Sequence, residues 1–108
     1  MNIKEEIILC KEGDVLRAKM SGEIDHHVAK RMRDVIDKEL FGQRPSGLVL
    51  DFSSVRFMDS SGIGLIIGRA EVCGELRISI RLTGLSPTLK KLINLSGVDR
   101  ISNITVSV

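Results

Sequence analysis

The sequence predicts an α/β domain with element order β-β-α-β-α-β-α-β, a mixed and mostly parallel sheet, and helices mainly on one face. Three observations lead there. Short apolar runs recur with Gly or Pro between them. Some of these runs alternate with period two and others repeat at helical spacing. The chain has 108 residues, 43% hydrophobic and 28% charged, enough for one domain over 1–108 that buries roughly two-thirds of its unfolded surface.

Ile7 to Cys10 and Val15 to Met20 form a predicted hairpin around the polar turn Lys11-Glu12-Gly13-Asp14. Asp25 can then cap a helix on which Val28, Met32, Val35, Ile36 and Leu40 repeat at helical spacing. Gln43-Arg44-Pro45-Ser46-Gly47 stops it, since proline lacks an amide donor and restricts its predecessor. Leu48 to Phe52 reads as a buried strand followed by a loop, and Ser60 to Gly74 as a second helix. Leu76, Ile78, Ile80 and Leu82 alternate with Arg77, Ser79 and Arg81, a strand with one covered and one wetter face. Ser86-Pro87 opens a third helix that ends near Gly97, and Ile104, Val106 and Val108 alternate in a closing strand. Successive βαβ units imply right-handed crossovers and parallel neighbours.

Composition excludes several classes of function. With 16 Lys+Arg against 14 Asp+Glu the formal charge is +2, too weak for a dedicated nucleic-acid binder. Aromatic residues make up 3%, all Phe, so stacking platforms for bases are lacking. Arg17, Lys19, Arg77 and Arg81 share the wetter sheet face as an ordinary solvated surface rather than a basic binding patch. No apolar run approaches the ~20 residues of a membrane span, and Met1 to Cys10 lacks a signal-peptide pattern. Cys10 and Cys73 are far apart and read as two buried thiols of a cytoplasmic protein.

Chemistry concentrates in Phe57-Met58-Asp59-Ser60-Ser61-Gly62-Ile63-Gly64, where two serines stand at a helix N-terminus that favours negative charge. Ser60 as a plain helix cap explains one serine but not Asp59 or the glycines. Gly62 to Gly68 is spaced GxGxxxG, one residue longer than a dinucleotide loop. Ser60 lacks the GxSxG elbow of a hydrolase, and Asp25-His26-His27 places adjacent side chains about 100° apart, wrong for a metal. The reading is therefore of a protein that is not an enzyme and carries no cofactor or metal. On a helical wheel Ile63, Ile66, Ile67 and Ala70 face the sheet, while Ser61, Gly64, Leu65, Gly68 and Val72 form an uncharged outward arc flanked by Arg69 and Glu71. That arc is either a docking surface or the seat of a neighbouring helix. A phosphate on Ser60 would add about −1.5 to −2 charge, which the helix tip tolerates and a docked partner would not.

These residues resemble the STAS-domain anti-sigma factor antagonists, in their sporulation branch. The resemblance runs nearly the whole chain and rests on Gly22-Glu23-Ile24-Asp25-His26-His27, on the Asp-Ser-Ser-Gly segment and on Ser86-Pro87 to Ser96-Gly97. It implies a STAS domain that binds an anti-sigma factor which is also a serine kinase, with ATP or ADP held by that partner, and so releases sigma factor F. It implies phosphorylation at Ser60, the serine directly after Asp59, reversal by a serine phosphatase, and an unmodified Ser61. Asp59, Ser61, Gly62, Gly64, Leu65 and Gly68 are the expected partner-binding residues. Asp25 joins them either as a recognition group or as a simple N-cap. Direct contact with nucleic acid and membrane insertion are not expected. A stress-signalling scaffold or a small-ligand-binding regulatory subunit is the alternative role within the family.

Overall fold

The computed structural model describes residues 6–107, so Val108 of the closing strand lies outside the described residues. Five strands form one sheet in the spatial order β1-β2-β3-β4-β5: Ile7–Glu12, Val15–Ile24, Gly47–Met58, Ser79–Thr83 and Ile104–Val106. The β1–β2 hairpin is antiparallel and every later pair is parallel. Helices α1 (His26–Gln43), α2 (Ser60–Leu76) and α3 (Pro87–Ser96) supply the crossovers, with a 3-10 turn at Val98–Arg100.

Pleat alternation sends Leu16, Ala18, Met20, Leu48, Leu50, Phe52, Ile80, Leu82 and Ile104 to one side. There they join Met32, Ile36 and Leu40 of α1, Ile66, Ala70 and Cys73 of α2, and Leu89 and Ile93 of α3 in one buried cluster. The other sheet face is wet. Arg17 spans it between Glu12 at 3.2 Å and Asp51 at 3.1 Å, and Arg81 donates to Ser107 Oγ at 2.8 Å.

Each helix is punctuated as its sequence dictates. Asp25 Oδ1 accepts from Val28 N at 2.9 Å to start α1, and Arg44, in left-handed conformation at φ +48°, ends it directly before Pro45. Ser86 Oγ accepts from Leu89 N at 3.2 Å to start α3, and Gly97 at φ +82° closes it.

Four expectations need correction. Leu76 and Arg77 do not begin β4: Leu76 is the last residue of α2, and Arg77 turns left-handed at φ +59° to cap it, which removes Arg77 from the wetter face. β3 does not stop at Phe52 but continues to Met58, and β2 continues past Met20 to Ile24. Register shifts between Lys19/Ser21 and Gly22/Glu23 break the alternation there, so these extensions do not read as strands. Cys10 is exposed on the outer face of β1, and Cys73 alone is the buried thiol.

Candidate functional site: the paired tips of α1 and α2

β3 pairs with β4 only as far as Asp51↔Thr83, whereas its pairing with β2 runs on to Ile24↔Met58. The sheet therefore narrows to a two-stranded ribbon that carries both helix starts to one end of the molecule. Asp59 N donates to Ile24 O at 3.3 Å and ties the two starts together. Asp25 and Asp59 thus stand as neighbouring N-caps, both exposed.

Asp59, not Ser60, caps α2: its Oδ1 accepts from Ser61 N at 2.8 Å. Ser60 is the first residue of the helix and is exposed, and among the described residues its hydroxyl has no hydrogen-bond partner. Asp25 holds its carboxyl below the ordinary range, chiefly because the Val28 amide donates to it. At this end of the molecule the two capping carboxylates mark neighbouring helix starts, and the Ser60 hydroxyl next to Asp59 is unencumbered.

The other expected residues divide. Ser61, Gly64 and Gly68 line a groove of about 460 Å³ between α1 and α2, together with His26, Ala29, Lys30, Arg33, Leu65 and Arg69. Gly62 is buried instead, and a Cβ there would lie 2.6 Å from Met58 Sδ, so its role is to let α2 start close against β3. Leu65 is 4% exposed and belongs to the core, while Ile67, assigned to the sheet side, is 38% exposed. The buried arc of α2 runs Gly62, Leu65, Ile66, Arg69, Ala70, Cys73. It is turned by about 80° from the apolar wheel, at 100° per residue, because α2 packs against α1 as well as the sheet. The neighbouring helix, not a partner, covers Leu65.

Arg69 carries that packing. It is 4% exposed rather than flanking an outward face, and its Nε lies 2.9 Å from Asp37 Oδ1 of α1. The contact is an ion pair without hydrogen-bond alignment, and Arg69 Nη1 has no hydrogen-bond partner. Burial pushes the Asp37 carboxyl up, despite the nearby guanidinium.

Sequence reasoning missed Phe57 and the basic side chains of the groove. Phe57 is 55% exposed on β3, two residues before Asp59 and opposite Glu23. Its signal was a large apolar residue next to the Asp-Ser-Ser-Gly segment. Lys30, Arg33 and Arg69 come from two helices, and no single stretch of sequence joins them. The His26 and His27 rings meet edge to face at 5.7 Å, and among the described residues no group of three or more His, Cys, Asp or Glu is placed to hold a metal.

The STAS domain model matches residues 6–108, in accord with the mixed five-stranded sheet and its three helices. The chain belongs to the STAS family, among its anti-sigma factor antagonists. It is 31% identical over 90 residues to an anti-sigma F factor antagonist of Paenibacillus polymyxa, covering 83% of this chain and 77% of that one. It is 32% identical over 108 residues to an anti-sigma-B factor antagonist of Listeria monocytogenes, covering 96% and 90%. Among solved structures, the anti-sigma factor antagonist SpoIIAA in its unphosphorylated form aligns with TM-score 0.80 and 26% identity over 94% of this chain and 88% of that one. The phosphorylated form of the Bacillus SpoIIAA aligns with TM-score 0.73 at the same identity, over 94% and 91%. No helix among the described residues is long and apolar enough to cross a membrane.

Proposed function

We propose that this chain is a cytoplasmic anti-sigma factor antagonist switched by phosphorylation of Ser60. The unphosphorylated form binds an anti-sigma factor that is also a serine kinase and thereby releases sigma factor F. The kinase's bound ATP then supplies the phosphoryl group. Ser60 Oγ forms a bond to the γ-phosphorus, the bond to ADP breaks, and the hydroxyl proton leaves to a base or water. A serine phosphatase hydrolyses the ester and restores the binder.

The observation that carries this reading is the exposed Ser60 hydroxyl, relieved of capping by Asp59. A kinase can reach it without unfolding anything. The phosphate adds about −1.5 to −2 charge at a helix N-terminus, which stabilises anions, so the domain keeps its fold. A partner docked over Asp25, Asp59 and Ser61, with Phe57 as an apolar anchor beside them, then meets a dianion next to two carboxylates. Each 1.4 kcal/mol of that repulsion costs about tenfold in affinity. The phosphorylated form of the Bacillus SpoIIAA, which shares this fold, supports the same chemistry.

The test is to incubate the protein with its cognate anti-sigma kinase and ATP and map the product by mass spectrometry. Phosphate on Ser60 is expected, and Ser60→Ala should bind the kinase and resist release. Phosphate elsewhere, or none, overturns the reading.

A further inference from the structure

The two edges of the sheet are unlike. β5 has three residues, Ile104–Val106, and offers little length to another strand. β1 has six, Ile7–Glu12, and ends in a tight hairpin, where Gly13 at φ +64° and Asp14 join Glu12 to its partner Val15. Its register with β2 runs unbroken from Ile7↔Met20 to Glu12↔Val15, so no bulge turns this edge away, and the strand contains no proline.

One bond fixes where the backbone groups of β1 point. Ser21 N donates to Glu6 O at 2.9 Å, which makes Glu6 and Ser21 a hydrogen-bonded pair of the antiparallel ladder. Such pairs alternate. Ile8, Cys10 and Glu12 therefore bond to β2, while the amides and carbonyls of Ile7, Leu9 and Lys11 point off the edge. On the outer sheet face beside that edge stand Ile8, 60% exposed, and the exposed Cys10.

We propose that this edge pairs with the β1 edge of a second copy of the chain, antiparallel about a two-fold axis, so that two five-stranded sheets become one. Residues whose backbone points off the edge must then oppose one another, and opposed side chains share a face. Two such registers overlap five residues of the six in each strand. The first centres on Leu9 and sets Glu12 opposite Glu6 of the second copy, which opposes like charges. The second centres on Cys10: Leu9 faces Lys11, Ile8 faces Glu12, and Cys10 faces Cys10 of the second copy. No like charges meet there, so this register is the self-complementary one. Pairing by one short strand buries less than the about 1,200 Å² of a standard interface, so the dimer is weak and reversible. The hairpin turn and the Ser60 tip lie at opposite ends of β2, so the dimer carries two open tips facing opposite ways.

The test is sedimentation of the purified chain without kinase, which leaves the Ser60 reading untouched if it fails. A monomer–dimer equilibrium with Kd below about 1 mM is expected, and Ser60→Asp should not change it. Lys11→Pro removes an amide that points off the edge and none that bonds to β2, so it should abolish the dimer and keep the hairpin. Ile8→Glu opposes Glu12 twice across the axis and should weaken the dimer about fivefold, whereas Ile8→Lys should not. Cys10 then sits at a non-hydrogen-bonded pair, with Cα atoms about 4.5 Å apart, within disulfide reach. Oxidised glutathione, taking two electrons and two protons from the paired thiols, should therefore cross-link the parent faster than Lys11→Pro. A chain that stays monomeric at about 1 mM, assembly beyond the dimer, or a dimer indifferent to both Lys11→Pro and Ile8→Glu overturns the proposal.

Discussion

Ser60 reaches solvent with a free hydroxyl because the residue before it takes over the cap, and the residue two places on makes room for the helix start. Asp59 accepts the Ser61 amide, and Gly62 lets the first turn of α2 lie against Met58. An added methyl at Gly62 would stand 2.6 Å from Met58 Sδ and 2.9 Å from its Cβ, the second of which cannot swing away. Gly62→Ala should therefore destabilise the protein by about 1–3 kcal/mol in urea unfolding and move the α2 tip. Gly64→Ala, with open space around its Cβ, should be neutral or slightly stabilising, since alanine is the better helix former. The contrast between the two glycines measures how tightly the tip is placed.

At the scale of elements, the fold order and the Ser60 tip were legible because both rest on local signals: alternation, helical spacing, breakers and caps. The rest was not. The far ends of β2 and β3 hide behind register shifts at Lys19/Ser21 and Gly22/Glu23, so a period-two reading stops early. The buried side of α2 was misassigned because an apolar wheel gives Arg69 no reason to turn inward. Its reason is Asp37, on another helix. Asp37→Ala should cost about 2–3 kcal/mol, toward the lower end for such pairs since Asp37 keeps a quarter of its side chain exposed. Adding Arg69→Met should recover much of that loss, and a double-mutant cycle of urea midpoints reads the coupling. The tie between β2 and β3 predicts a pH dependence. Burial alone would raise the Asp51 carboxyl, but the Ser53 amide at 2.9 Å and the Arg17 guanidinium at 3.1 Å outweigh it and hold it below its ordinary 3.8. A carboxyl lowered by folding contributes stability that is present above about pH 3.8 and lost as pH falls through its folded value. Asp51→Asn should flatten that part of the acid limb in pH-dependent unfolding while lowering stability at neutral pH.

For the whole molecule, the decisive question is whether charge at the tip stays at the tip. The two cysteines answer it from opposite ends of the burial scale. Cys10 is exposed on β1, whereas Cys73 lies fully inside, on the buried side of α2, with burial pushing its thiol up to about 11. At neutral pH a thiol reagent should modify Cys10 alone and reach Cys73 only when the domain opens. Ser60→Asp places a carboxylate on the same helix that carries Cys73, so any loosening of α2 would be read as faster Cys73 labelling. The helix N-terminus accepts that charge, and Ser60 contributes no buried contact to lose. Cys73 labelling in Ser60→Asp should thus match the parent within about twofold, which corresponds to roughly 0.4 kcal/mol in the opening equilibrium, even as affinity for the anti-sigma partner falls. Rapid labelling of Cys73 in that variant would mean that the tip and the core respond together, and that loss of binding comes from an unfolded helix rather than from repulsion at an intact surface.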